Sequence, residues 1–220
     1  MTDNGTAHLP EPSTDDWMQH PPYGPPPDAD KRKIYYTATC HCKRVKYAIL
    51  CEEPKEAKFC HCVDCHKLFG SPAQWTAMLE KTDVHYLSGV DNLAFYHLPD
   101  STHEHKLPCK VACRTCRSPV MDEGRKVLVI YPSLIDFGEM PRGEGDPRRE
   151  AGSIAVRGDS TAAEGSLNAA EGRPTAAEGR SKFFPTCHIF YEQRVDDYVD
   201  GRPKYRRHKE DGETLPEHEW

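Results

Sequence analysis

Long apolar runs are missing from this chain of 220 residues, and hydrophobic residues of every kind make up only 37% of it. No stretch approaches the roughly 20 residues that a helix needs to cross a bilayer. The opening MTDNGTAHLPEPSTDD lacks the basic flank and apolar stretch of a secretory signal, so the expected location is the cytoplasm, with the nucleus as the alternative. Positive charge is not in excess either. With 29 Lys and Arg against 35 Asp and Glu, the formal net charge of −6 offers no general attraction to polyanions. Neither nucleic acid nor a membrane is an expected partner. The only dense basic run, Arg206-Arg207-His208-Lys209, leads straight into Glu210-Asp211.

Cysteine is what the chain has in plenty, ten residues in all. In a reducing compartment these are more naturally metal ligands than disulfides. Seven fall into a pattern: Cys40-x-Cys42, then Cys60-x-Cys62-x-x-Cys65, then Cys113-x-x-Cys116. The two outer pairs supply four thiolates, the number that closes a tetrahedral zinc site, and joining them would staple distant parts of the chain. The triplet supplies three and leaves one coordination position free. A thiol entering that position would lose its proton yet remain nucleophilic, which suits its addition to an aldehyde or the reverse cleavage of a carbon–sulfur bond. A fourth protein ligand from Cys51, His61, His66, Cys109 or Cys187 would make the second site structural instead. A redox role is weaker, because the C-x-x-C lacks a βαβ setting. Outside the pattern, Cys51, Cys109 and Cys187 read as packed small residues, His103 and His105 as an exposed edge, and His188 as a satisfied strand histidine. Lys58 and Lys67 read as solvated surface.

Residues 1–30 are rich in Pro, Asp and Ser and read as a disordered arm. Order is expected from near Lys33, with β-type runs at 45–49, 74–79, 93–96 and 126–131, and a short helical turn over 63–69 stopped by Gly70-Ser71-Pro72. From 138 to 182 Gly, Arg, Glu and Ala replace the aromatic and β-branched residues. Three Ala-Ala-Glu-Gly repeats (162–165, 169–172 and 176–179) recur every seven residues with no apolar seam, so this stretch reads as a flexible low-complexity insertion. Strand-like sequence resumes at 183–191. One zinc-binding β domain, 31–137 plus 183–206, is therefore expected, followed by a tail over 207–220.

The cysteine order, Gly70-Ser71-Pro72 after the triplet, the strand at Val127–Tyr131 and the closing Pro185-x-x-His188-Ile189 together resemble the glutathione-dependent formaldehyde-activating enzyme family, which includes centromere protein V. The resemblance implies a mainly β fold, an antiparallel β-tent with two zinc ions per chain. Cys40, Cys42, Cys113 and Cys116 would hold the structural ion, and Cys60, Cys62 and Cys65 the catalytic one. It further implies a zinc-dependent carbon–sulfur lyase or thiol-adduct-forming enzyme, resembling S-(hydroxymethyl)glutathione synthase and taking a small thiol such as glutathione with an aldehyde. The alternative is a non-catalytic interaction module of the centromere protein V type. Where the family usually carries Gly after each outer pair, this chain has Lys43 and Arg117; if those turns need positive φ, each costs about 1 kcal/mol.

Overall fold

The computed structural model describes residues 22–24, 31–138 and 174–216. Two sheets carry the fold. In one, β1 (Tyr36–Thr39) and β2 (Lys46–Ile49) pair with each other and are flanked by β10 (Ile135–Asp136) and β5 (Val84–Ser88). The other runs in the order β11 (His188–Ile189), β3 (Glu56–Cys60), β4 (Gln74–Glu80), β9 (Val127–Ile130), β8 (Pro119–Glu123), β7 (Cys109–Cys113) and β6 (Leu93–Tyr96). Every strand pair is antiparallel except one. β11 lies parallel to β3, setting His188 beside Phe59 and Ile189 beside Cys60.

Period-two patterning fixes which way the strands face. Along β7, Cys109, Val111 and Cys113 are buried, while Lys110 and Ala112 turn to the other face. The core between the sheets gathers Tyr36, Tyr47, Ile49, Leu79, Leu93, Met121, Leu128, Ile130 and Phe183, all fully enclosed or nearly so. A second, smaller cluster forms around Cys60, Cys65, Cys187 and Ile189. The expected helical turn is present as α1 (Val63–Phe69), and Gly70 ends it at φ 59°, a left-handed conformation that glycine adopts without strain. The strands at 56–60, 84–88, 109–113 and 119–123 were not among the expected runs. Lysine, histidine, cysteine or proline interrupts each, which weakens a propensity signal that burial on one face then overrides.

Three expectations need correcting. The arm is anchored at Tyr23, whose ring stacks on Tyr86 at 5.4 Å between centroids and whose hydroxyl donates to Glu123 at 2.7 Å; the rest of 1–30 apart from 22–24 lies outside the described residues. The segment taken as a flexible insertion ends in an ordered helix, α2 (Ala176–Lys182), opened by a Thr175/Glu178 capping box. There the third Ala-Ala-Glu-Gly repeat buries Gly179 against Tyr36 and Phe137; residues 139–173 lie outside the description. The tail expected from 207 also folds back, with Leu215 N–H donating to Lys204 C=O at 2.8 Å and Tyr205 bridging Thr214. Gly179 is buried by the distant Tyr36 and Phe137, partners that low-complexity composition does not reveal.

Candidate metal centres and the adjoining pocket

The outer pairs occupy two matching turns. Lys43 N–H donates to Cys40 C=O at 2.9 Å, and Arg117 N–H donates to Cys113 C=O at 2.9 Å. Both non-glycine residues sit at positive φ, 61° and 62°. The turns approach each other where His41 N–H donates to the Ser118 hydroxyl at 3.1 Å. As a result the four sulfurs of Cys40, Cys42, Cys113 and Cys116 lie within 4.8 Å of one another, with 3.6 Å between Cys40 and Cys42 and 3.7 Å between Cys42 and Cys113. A tetrahedron with Zn–S bonds of about 2.3 Å has edges of about 3.8 Å, so this donor set fits a zinc ion. Donors also point at the sulfurs: Val45 N–H to Cys40 at 3.3 Å and the Asn92 amide to Cys113 at 3.1 Å. Burial alone would raise the Cys116 thiol, but hydrogen bonds from Ser118 hold it down to about 5.

The triplet is assembled from a strand end and a helix start. Cys60 closes β3, Cys62 is the N-cap of α1, and Cys65 lies on its first turn. The Cys62 sulfur accepts from Cys65 N–H at 3.4 Å. The three sulfurs lie within 4.8 Å of one another, and they share protons unequally. Hydrogen bonds from Cys60 and Cys65 hold the Cys62 thiol far below its ordinary value, while the bonds to Cys62 raise Cys60, and those to Cys60 and Cys62 raise Cys65. A cluster that gathers one thiolate so readily is chemically suited to a soft metal ion. Among the described residues no fourth His, Cys, Asp or Glu joins it. His61 Nε2 is instead bonded to His188 Nδ1 at 2.8 Å, and His66 Nε2 to the Pro72 carbonyl at 3.0 Å. Cys51 and Cys109 pack against the main core and Cys187 in the smaller one.

Two groups lie near the triplet: His188, a satisfied strand histidine as expected, and Lys110, which the sequence reading passed over. His188 Nε2 bonds Asp200 at 2.9 Å, so a chain from Asp200 at the surface through the buried His188 and His61 braces the segment between Cys60 and Cys62. Burial keeps His61 neutral, down to about 3, and leaves its Nδ1 without a partner. On the other side, Lys110 pairs with Asp122 at 2.6 Å across β7 and β8, and the Tyr131 hydroxyl donates to the same carboxylate. Alternation along β7 was the available signal, since Lys110 lies one residue from a buried cysteine. Lys58, read as solvated, is buried and paired with Glu56 at 2.6 Å. His105, read as an exposed edge, turns inward and bonds Glu123 at 2.8 Å, packed against Tyr23 and Phe95, while His103 is exposed. The basic run at 206–209 is internally balanced, Arg206 by Glu213, Arg207 by Glu192 and Lys209 by Glu56.

A family model described as glutathione-dependent formaldehyde-activating enzyme matches residues 35–146, just over half of the chain. The chain belongs to this family. The matched span holds all seven clustered cysteines, while α2, β11, His188 and Asp200 follow it. Three solved chains match; one is the crystal structure of a Rhodobacter sphaeroides protein, 22% identical, covering 50% of this chain and 95% of its own, with a TM-score of 0.37. No curated protein matches. Membership connects the fold to glutathione and formaldehyde chemistry, and the two cysteine clusters offer the places where metal ions could be held. No helix among the described residues is long and apolar enough to cross a membrane.

Proposed function

We propose that the protein is a zinc-dependent carbon–sulfur lyase, or thiol-adduct-forming enzyme, that joins a small thiol such as glutathione to formaldehyde or a related electrophile. Cys40, Cys42, Cys113 and Cys116 hold a structural zinc ion, and Cys60, Cys62 and Cys65 a second one. The observation that carries this reading is the three-sulfur cluster, beside which the histidines within reach are turned to other partners. A zinc ion held there supplies one further position, in which the sulfur of a small thiol is kept as thiolate.

The chain's own groups do the rest. Cys65 and Cys60 are fixed by α1 and β3, and the Asp200–His188–His61 chain resists rotation of the intervening peptide. The Lys110 ammonium, whose charge acts on Cys62 and Cys65, favours an anionic sulfur at the site. Phe69, in edge contact with Tyr131 at 5.0 Å, packs against the cluster that holds Cys60 and Cys65. In the addition a sulfur–carbon bond forms, the carbonyl π bond breaks and the thiol proton ends on oxygen, so atoms and charge balance without a redox partner.

Cobalt in place of zinc tests this reading. Adding glutathione should raise the sulfur-to-metal charge-transfer absorption, and Cys65→Ala should remove that response while the outer cluster keeps its own spectrum. Formaldehyde–glutathione exchange should run faster than in buffer and lose that excess in the same variant. A cobalt spectrum indifferent to every small thiol would close the second site and leave a non-catalytic zinc module.

A further inference from the structure

Beside α1 lies a cavity of about 200 Å³, walled by Phe69 from α1, Ala94 from β6, Lys110 and Ala112 from β7, Tyr131 after β9, and Arg117 from the second cysteine turn. Formaldehyde needs no such space. Its walls are mostly carbon, and its volume falls below the roughly 300–1,000 Å³ of drug-sized sites, so the occupant that fits is small and largely apolar. Two cations reach it, and they are not equivalent. Lys110 is balanced by Asp122 at 2.6 Å. Arg117 has no carboxylate partner among the described residues, in a chain whose acidic residues outnumber its basic ones.

Arg117 is unusual in a second way. It holds φ 62°, a conformation that costs a non-glycine residue on the order of 1 kcal/mol, while its backbone does only what a glycine there could do equally well. Lys43 occupies the matching turn at φ 61°, but it does not line the cavity. Strain is therefore common to both turns, and the unpaired guanidinium facing an apolar cavity belongs to one.

We propose that this cavity binds a small apolar carboxylic acid, with the carboxylate on Arg117 and the hydrocarbon body between Phe69, Ala94 and Ala112. The guanidinium fork matches a carboxylate with two parallel hydrogen bonds, and one unbalanced cation matches a monoanion. Resting on the enzyme reading above, the site makes the electrophile an aldehyde that carries an apolar acid group, held in the cavity beside the helix that carries Cys65.

The test titrates zinc-loaded protein with benzoate and with benzamide, its uncharged shape match, by calorimetry. Benzoate should bind and benzamide should bind at least about tenfold more weakly, the size of one charge-assisted bidentate contact. Arg117→Gly should weaken benzoate by a similar factor while keeping two zinc ions and melting no lower than the parent, since it relieves strain. Lys43→Gly should leave benzoate binding unchanged, and Ala94→Trp, which fills the cavity, should abolish it. Equal affinity in the parent and Arg117→Gly, or equal loss in Lys43→Gly, would overturn the site. The cobalt response to glutathione, read on the same preparations, separates the two ideas. A response without benzoate binding rejects the cavity site alone, whereas benzoate binding at Arg117 without any thiol response keeps the site and rejects the enzyme.

Discussion

Glu123 accepts from three side chains drawn from separate regions: Tyr23 at 2.7 Å, Lys81 at 2.5 Å and His105 at 2.8 Å. Burial alone would raise its carboxyl, but the bonds from His105, Lys81 and Tyr23 outweigh it and hold the group below its ordinary 4.5. A carboxyl depressed in the folded state lends stability above its unfolded value and loses it as pH falls through the folded one. Glu123→Gln should therefore cost about 2–4 kcal/mol at neutral pH, where it strands the Lys81 ammonium in a largely buried site. The gap between parent and variant should narrow as pH falls from 4.5 through the lower folded-state value, where the carboxyl takes up its proton, and denaturant titrations across that range would measure it. A constant gap would mean that shape rather than charge is what Glu123 contributes.

Among the elements, α2 was the least visible in the chain, and for β11 the pairing was. β11 is two residues long within the strand-like run expected at 183–191, but it pairs parallel to β3, a partner nearly 130 positions away that nothing local marks. Its register is what carries His188 to His61. For α2 the glycine works against ordinary propensity. Alanine in a helix interior is normally better by about 1 kcal/mol, yet a Cβ at position 179 would meet Tyr36 Cε1 at 2.7 Å and Phe137 Cδ1 at 3.2 Å. Gly179→Ala should therefore lower stability by about 1–3 kcal/mol instead of raising it, because two core rings must shift. Trypsin should also cut faster at Arg180. A melting point above the parent's would show that α2 does not dock as described.

For the molecule as a whole, the two cysteine sets sit at different kinds of place. Cys40 and Cys42 follow β1 in the smaller sheet, whereas Cys113 closes β7 in the larger and Cys116 follows it, so the outer set ties one sheet to the other. The triplet joins β3 to the helix that directly follows it. Cys113→Ser should consequently release one zinc ion and unfold much of the domain, a loss of up to about 10 kcal/mol where metal binding is itself folding energy. Cys62→Ser should release the other ion with circular dichroism largely kept. Metal analysis together with circular dichroism distinguishes these outcomes, and equal loss of structure in both would refute the division of roles.

Which cysteines gather into clusters was determined by sequence alone, because a metal-binding turn needs its sulfurs two or three residues apart and such spacing survives without knowledge of the fold. The breaker at Gly70 and the strands at 46–49, 74–80, 93–96 and 127–130 were legible for the same reason: each depends on local backbone preference or composition. The pairing of Lys110 with Asp122, the chain from Asp200 through His188 to His61, the burial of Glu123 and the docking of Tyr23 and Gly179 were decided only in three dimensions. Each joins residues far apart in sequence or turned to one face by strand alternation, and the free energy of such contacts comes from exclusion of water by surfaces that local sequence does not bring together.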